Sequence, residues 1–165
     1  MIKLKILTLI ILLNVNAYAW FWENNSQPKK KEILLDEVSM PFSGKEQNYT
    51  NSIQIAPLSI RTSGNINYFV KLKDIYTNET VMDFFIHGGN SITTKVPLGS
   101  YKIVYASGNK WYGKEHLFSK KTAYSKTDET FNFTQNYNGI NGYTITLYTV
   151  ANGNLTTSRL NPSDF

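Results

Sequence analysis

Tyr68-Phe69-Val70-Lys71-Leu72-Lys73, then Thr80 to His87 (TVMDFFIH), Ser91 to Val96 (SITTKV) and Ser100 to Ala106 (SYKIVYA) decide the fold of this chain. All four runs are short and rich in β-branched and aromatic residues, and turn residues stand between them. That is the pattern of strands rather than of helices. In the first run Tyr68, Val70 and Leu72 share one face, with Phe69, Lys71 and Lys73 on the other, because side chains alternate along a strand. Tyr101, Ile103 and Tyr105 share a face in the same way. The breaks are Tyr76-Thr77-Asn78-Glu79, Gly88-Gly89-Asn90, Pro97-Leu98-Gly99 and Ser107-Gly108-Asn109, each rich in residues that enter turns at low cost.

Further runs flank this centre. Leu58 to Thr62 precedes it, and Thr130 to Thr134, Tyr143 to Val150 and Leu155 to Leu160 follow, the last as an edge strand. Helical spacing is not sustained over more than two turns anywhere, although Glu32 to Val38 has room for one or two helical turns. Seven or eight strands with close turns predict an all-β fold, an antiparallel β-sandwich. The expected division is a signal peptide over 1–19, an extension with little fold of its own over 20–55, and the sandwich over 56–165.

Val96-Pro97-Leu98-Gly99-Ser100-Tyr101 resembles the corner of transthyretin-like and carboxypeptidase-regulatory-like sandwiches, in which proline fixes the approach, glycine turns, and tyrosine returns to the core. A wider set of segments includes Ala56-Pro57-Leu58, Tyr68 to Leu72, Tyr105-Ala106-Ser107-Gly108, Trp111-Tyr112-Gly113, His116-Leu117-Phe118 and Gly142-Tyr143-Thr144. It is similar to an uncharacterised bacterial and phage family of C-terminal β-domains, spanning Ala56 to Phe165. That resemblance implies architecture and carries no site residue with it.

The N-terminus predicts export. Lys3 and Lys5 precede an apolar run to Leu13, and Ala17-Tyr18-Ala19 gives the small-x-small cleavage pattern, with cleavage after Ala19. A run of about ten residues is half of the roughly 20 that a spanning helix needs. With no cysteine in the chain, there is no thiol for a lipid anchor, and no disulfide holds the domain. A cysteine-free exported domain fits a bacterial periplasmic or secreted protein better than a disulfide-stapled eukaryotic one. Loss of the signal leaves 15 basic and 12 acidic side chains, a net charge of +3. That is too little, and too dispersed, for a phosphate-backbone stripe, so nucleic acid is not an expected partner. The single membrane contact the sequence offers is Trp20-Phe21-Trp22 beside Lys29-Lys30-Lys31, which otherwise forms a mobile tail.

Catalytic patterns are weak. His87 and His116 are the only histidines and have no cysteine partners or short ligand spacing, so no metal and no cofactor is expected. Glu115 and His116 are adjacent and on a strand would face opposite ways. Asp74, Asp83, Asp128 and Glu129 could pair only through the fold. The best functional segment is Gly108 to Phe118, an irregular stretch after a strand that joins aromatics to charges. Its candidate binding residues are Lys110, Trp111, Tyr112, Lys114, His116 and Phe118, with Trp111 and Tyr112 suited to stacking on a sugar or anchoring a protein. The reading that ranks ahead of contact has Trp111 and Phe118 plugging one end of the sandwich, with Gly113 allowing the bend. Lys114, Lys120, Lys121 and Lys126 add a positive patch suited to an acidic glycan or lipid head group, or else a solvated loop. The leading expectation is a non-catalytic module that contacts an envelope protein or glycan. An immunity or inhibitor-type protein against an exported enzyme comes second, and a cell-wall hydrolase third.

Overall fold

The computed structural model describes residues 34–147 and 155–165, and the compact unit runs from Leu35 to Phe165. The expected signal peptide over 1–19, the Trp20-Phe21-Trp22 segment, the lysine triplet, the last residues of the run read over Tyr143 to Val150 and the expected turn at Ala151 to Asn154 lie outside the described residues. Among those described, no helix is long and apolar enough to cross a membrane.

The architecture is all-β and sandwich-like. Its central strands are β3 (Asn67–Asp74), β4 (Thr80–Ile86) and β6 (Gly99–Gly108). They form the middle of a large antiparallel sheet, flanked by β1 (Lys45–Asn48) beyond β4 and by β7 (Ala123–Thr127) and β12 (Thr157–Arg159) beyond β6. β8 (Phe131–Phe133) also pairs with β6, lower along the same edge that β7 uses. The second sheet joins β11 (Tyr143–Thr146), β2 (Gln54–Arg61) and β5 (Ser91–Pro97). One pair departs from the antiparallel expectation: β11 runs parallel to β2, with Tyr143 opposite Leu58. β9 (Gln135–Asn136) and β10 (Gly139–Ile140) make a small separate hairpin.

The alternation read in β3 holds. Tyr68, Val70 and Leu72 join Met82, Phe84, Ile86, Ile103 and Tyr105 in one buried cluster, with Leu58, Ile60, Val96 and Ile145 of the other sheet. The corner after β5 also closes as its residues suggest. Tyr101 is buried and its hydroxyl donates to the Leu98 carbonyl at 3.0 Å. A Cβ on Gly99 would lie 2.4 Å from that hydroxyl oxygen, so the Tyr101 side chain takes the space that any larger residue would need.

The opposite face of the large sheet is also covered, which alternation alone does not reveal. Phe69, Phe85 and Ala106 form a second buried cluster with Trp111, Leu117 and Phe118, and Met40, Tyr124 and Phe165 pack against it. Three segments supply this outer layer: the stretch before β1, the excursion between β6 and β7, and the tail after β12. The tail is pinned by Lys71 and Lys73, whose ammonium groups donate to the carbonyls of Phe165 at 2.8 Å and Asp164 at 3.0 Å.

The segment 20–55, expected as an extension with little fold of its own, belongs from Leu35 onward to the compact unit. Residues 34–42 carry no helix or strand, because Val38 spends its amide on the Trp111 carbonyl at 2.9 Å instead of a helical turn. β1 follows at the edge of β4. All four of its side chains are exposed, so its pairing rests on backbone hydrogen bonds and leaves no hydrophobic alternation to read.

Candidate functional site

The excursion between β6 and β7 is built by backbone geometry. Gly113 opens it at φ 87°, and a single helical turn, α1 (Gly113–His116), follows. Leu117 (φ 49°) and Ser119 (φ 58°) then reverse the chain, in a region that costs a non-glycine residue free energy. Hydrogen bonds hold the reversal: Tyr112 N–H to the Leu117 carbonyl at 2.7 Å and Phe118 N–H to Thr122 Oγ1 at 3.1 Å. Burial holds it too, since Trp111, Leu117 and Phe118 all turn inward. The Trp111 ring meets Phe85 at 5.0 Å, Phe118 at 5.3 Å and Phe69 at 5.6 Å. Gly108 lets the loop close in, because a Cβ there would lie 2.4 Å from Phe118 Cβ.

Above this packed floor lies a cleft of about 610 Å³. Asn109, Lys110, Tyr112, Ser119, Lys120 and Lys121 are among its lining residues. Lys110 also pairs with Glu37 at 2.7 Å, both side chains being well exposed, and Glu37 holds the Lys110 ammonium above its ordinary range through a hydrogen bond and its charge.

A second polar group sits behind α1, on the outer face of the large sheet. Asp83 is buried and accepts from Tyr49 Oη at 2.5 Å and Lys114 Nζ at 2.6 Å. Lys114 also reaches Gln47 Oε1 at 2.9 Å. Burial alone would push the Lys114 ammonium down, but the hydrogen bond and charge of Asp83 outweigh it, and the group titrates above its ordinary 10.5. Burial, followed by the Asp83 hydrogen bond, pushes the Tyr49 phenol above 10.0. Lys71 stands opposite Asp83 in the β3–β4 pairing, and its ammonium is lowered by burial and by Lys73. The arrangement clamps β1 and α1 onto β4.

The six candidate residues therefore separate. Lys110 and Tyr112 line the cleft, with Phe118 at its floor. Trp111 and Phe118 are buried core residues of the outer layer. They cover a sheet face rather than plugging an end of the sandwich. Lys114 turns away to Asp83, and His116 is exposed on α1, which makes Glu115 and His116 neighbours on a helical turn rather than on a strand. His87 is half-buried, not exposed, because the stretch before β1 lies over it: its Nε2 is 2.8 Å from the Pro41 carbonyl oxygen.

The four carboxylates weighed for acid–base chemistry are each committed locally. Asp83 holds Lys114, Asp74 Oδ1 caps the turn at Tyr76, Asp128 accepts from Ser158, and Glu129 Oε1 accepts from the Thr156 amide while its Oε2 is buried without a partner among the described residues. Among the described residues no group of three or more histidine, aspartate or glutamate side chains could hold a metal ion. Asn109 and Ser119 are cleft residues that the candidate set omits. No one-dimensional signal marks them, since the Leu117 reversal is what brings them together. Comparisons with protein-family models, curated proteins and solved structures find no match.

Proposed function

We propose that this chain is an exported, non-catalytic binding module whose cleft, beside the β6–β7 excursion, takes a component of the cell envelope. The observation that carries this reading is the excursion itself. Two non-glycine residues at positive φ are held there by a buried aromatic floor, and the result is an open cleft rather than a short turn. Backbone strain of this kind persists where the surroundings enforce it, and it gathers at binding sites. Loops on a rigid sandwich are where recognition commonly sits. The positive start, apolar run and Ala17-Tyr18-Ala19 of the N-terminus support export.

The test uses the full chain expressed with its leader. Fractionation should place it outside the cytoplasm with Trp20 as the new N-terminus. Soluble peptidoglycan fragments or solubilised envelope proteins should shift the amide resonances of Asn109, Tyr112 and Lys121, and Tyr112→Ala should remove the effect. Retention in the cytosol with residues 1–19 intact, or binding that is indifferent to Tyr112→Ala, would refute the proposal.

A further inference from the structure

Lys110, Lys120 and Lys121 line the cleft, and among its described lining residues there is no carboxylate. Between them stand groups suited to hydroxyls, namely the Asn109 amide and the Ser107 and Ser119 hydroxyls, beside the half-exposed ring of Tyr112. An aromatic face with amide and hydroxyl partners matches a sugar ring, apolar on its face and polar at its rim.

Lys110 and Lys121 give the cleft a place for negative charge, and at Lys110 the molecule already supplies one. Glu37, on the stretch before β1, places Oε2 at 2.7 Å from Lys110 Nζ, with 66% of the lysine side chain and 45% of the glutamate side chain exposed. An ion pair that open to water contributes little and yields readily to a competing anion. The Val38 amide, one residue on, is fixed to the Trp111 carbonyl, so the Glu37 carboxylate is tethered beside the cleft rather than arriving by chance.

Resting on the reading of the cleft as the binding site, we infer that its ligand is an acidic saccharide, with the Glu37 carboxylate standing where the ligand's own acid group binds. Carboxylate and phosphate share this chemistry, and the experiment separates them. The isotope-labelled full chain, recovered as exported, is titrated with tetragalacturonate, with a glycerol phosphate tetramer, and with neutral chitotetraose.

One acidic probe should bind at least tenfold more tightly than chitotetraose, shifting the amides of Asn109, Tyr112 and Lys121. Its affinity should fall as salt rises, since exposed charges are screened. Whichever acidic probe binds identifies the acid group. Glu37→Gln should raise affinity for that probe by about two- to fivefold, the strength of an exposed pair, while Lys121→Gln lowers it. Both substitutions are on exposed side chains, and unchanged thermal melts confirm that the fold is intact. Chitotetraose binding equally well at the same amides overturns the acidic ligand and leaves the cleft as a binding site, as does a response to envelope protein alone. A Glu37→Gln variant with unaltered affinity overturns the stand-in role. Silence of these amides toward every glycan and every envelope fraction overturns the binding reading itself.

Discussion

Replacing Trp111 by alanine separates a structural indole from a ligand-contacting one. Trp111 is 3% exposed and meets Phe85, Phe118 and Phe69 with ring centroids 5.0, 5.3 and 5.6 Å away, at angles of 74°, 65° and 50°. Truncation removes these contacts and opens a void between the sheet and the excursion. Deleting a buried tryptophan to alanine costs about 3–5 kcal/mol, and the edge-to-face contacts place this one toward the upper part of that range. Against a total stability of about 5–15 kcal/mol for a domain, that is a large fraction. In a compact unit of this length it should lower Tm on the order of 10–20 °C. Tyr112→Ala, next in sequence but half-exposed, should cost under about 1 kcal/mol. Urea denaturation of both variants, followed by far-ultraviolet circular dichroism, measures the difference. A Trp111→Ala loss below about 1 kcal/mol, or a Tyr112→Ala loss that equals it, would refute the assignment of Trp111 to the core.

Gly108→Ala should destabilise by about 1–3 kcal/mol, because Phe118 Cβ lies where the new methyl must go; chemical denaturation checks it. Thr127 is fully buried, and its hydroxyl accepts from the Ile103 amide and donates to the Ile103 carbonyl, each at 3.3 Å. That hydroxyl fills the gap where β6 changes partner from β7 to β8. Thr127→Val keeps the shape and strands these groups, at a cost of about 1–3 kcal/mol. Alkaline pH should weaken the fold. Lys114 is raised above 10.5 and the phenols of Tyr49, Tyr68 and Tyr101 above 10.0. Folding therefore favours the protonated form of each, and this stabilisation is complete below those ordinary values. It is lost as pH rises through the higher folded values. Phenolate absorbance should show a slow-titrating fraction of tyrosines, together with a falling Tm above pH 10; a Tm that holds level there would contradict the Lys114 and tyrosine environments.

Period-two alternation carried the sandwich because Tyr68, Val70 and Leu72 obey it strictly, and the corner at Val96 to Tyr101 was legible because proline, glycine and tyrosine act within six residues. The outer layer was harder to see. Met82-Asp83-Phe84-Phe85-Ile86 is buried on both faces, so the run shows no wet side. Asp83 within it was the clue that a cation would lie over that face, but its partner Lys114 is remote in sequence. β1 escaped because its side chains are all exposed and its place at the edge of β4 is set by backbone pairing. Within the candidate segment, Trp111 and Tyr112 look alike as letters. Which one turns inward depends on the reversal at Leu117, a backbone state that leucine does not advertise.

The parallel pairing of Leu58 with Tyr143 has a consequence for how the molecule comes together. A chain emerging N-terminus first, from a ribosome or a translocation pore, offers β2 early, and β5 can take one of its edges soon after. The other edge stays open until residue 143 is free, so the smaller sheet is completed late. Such distant pairing slows folding and leaves a strand edge exposed in the meantime.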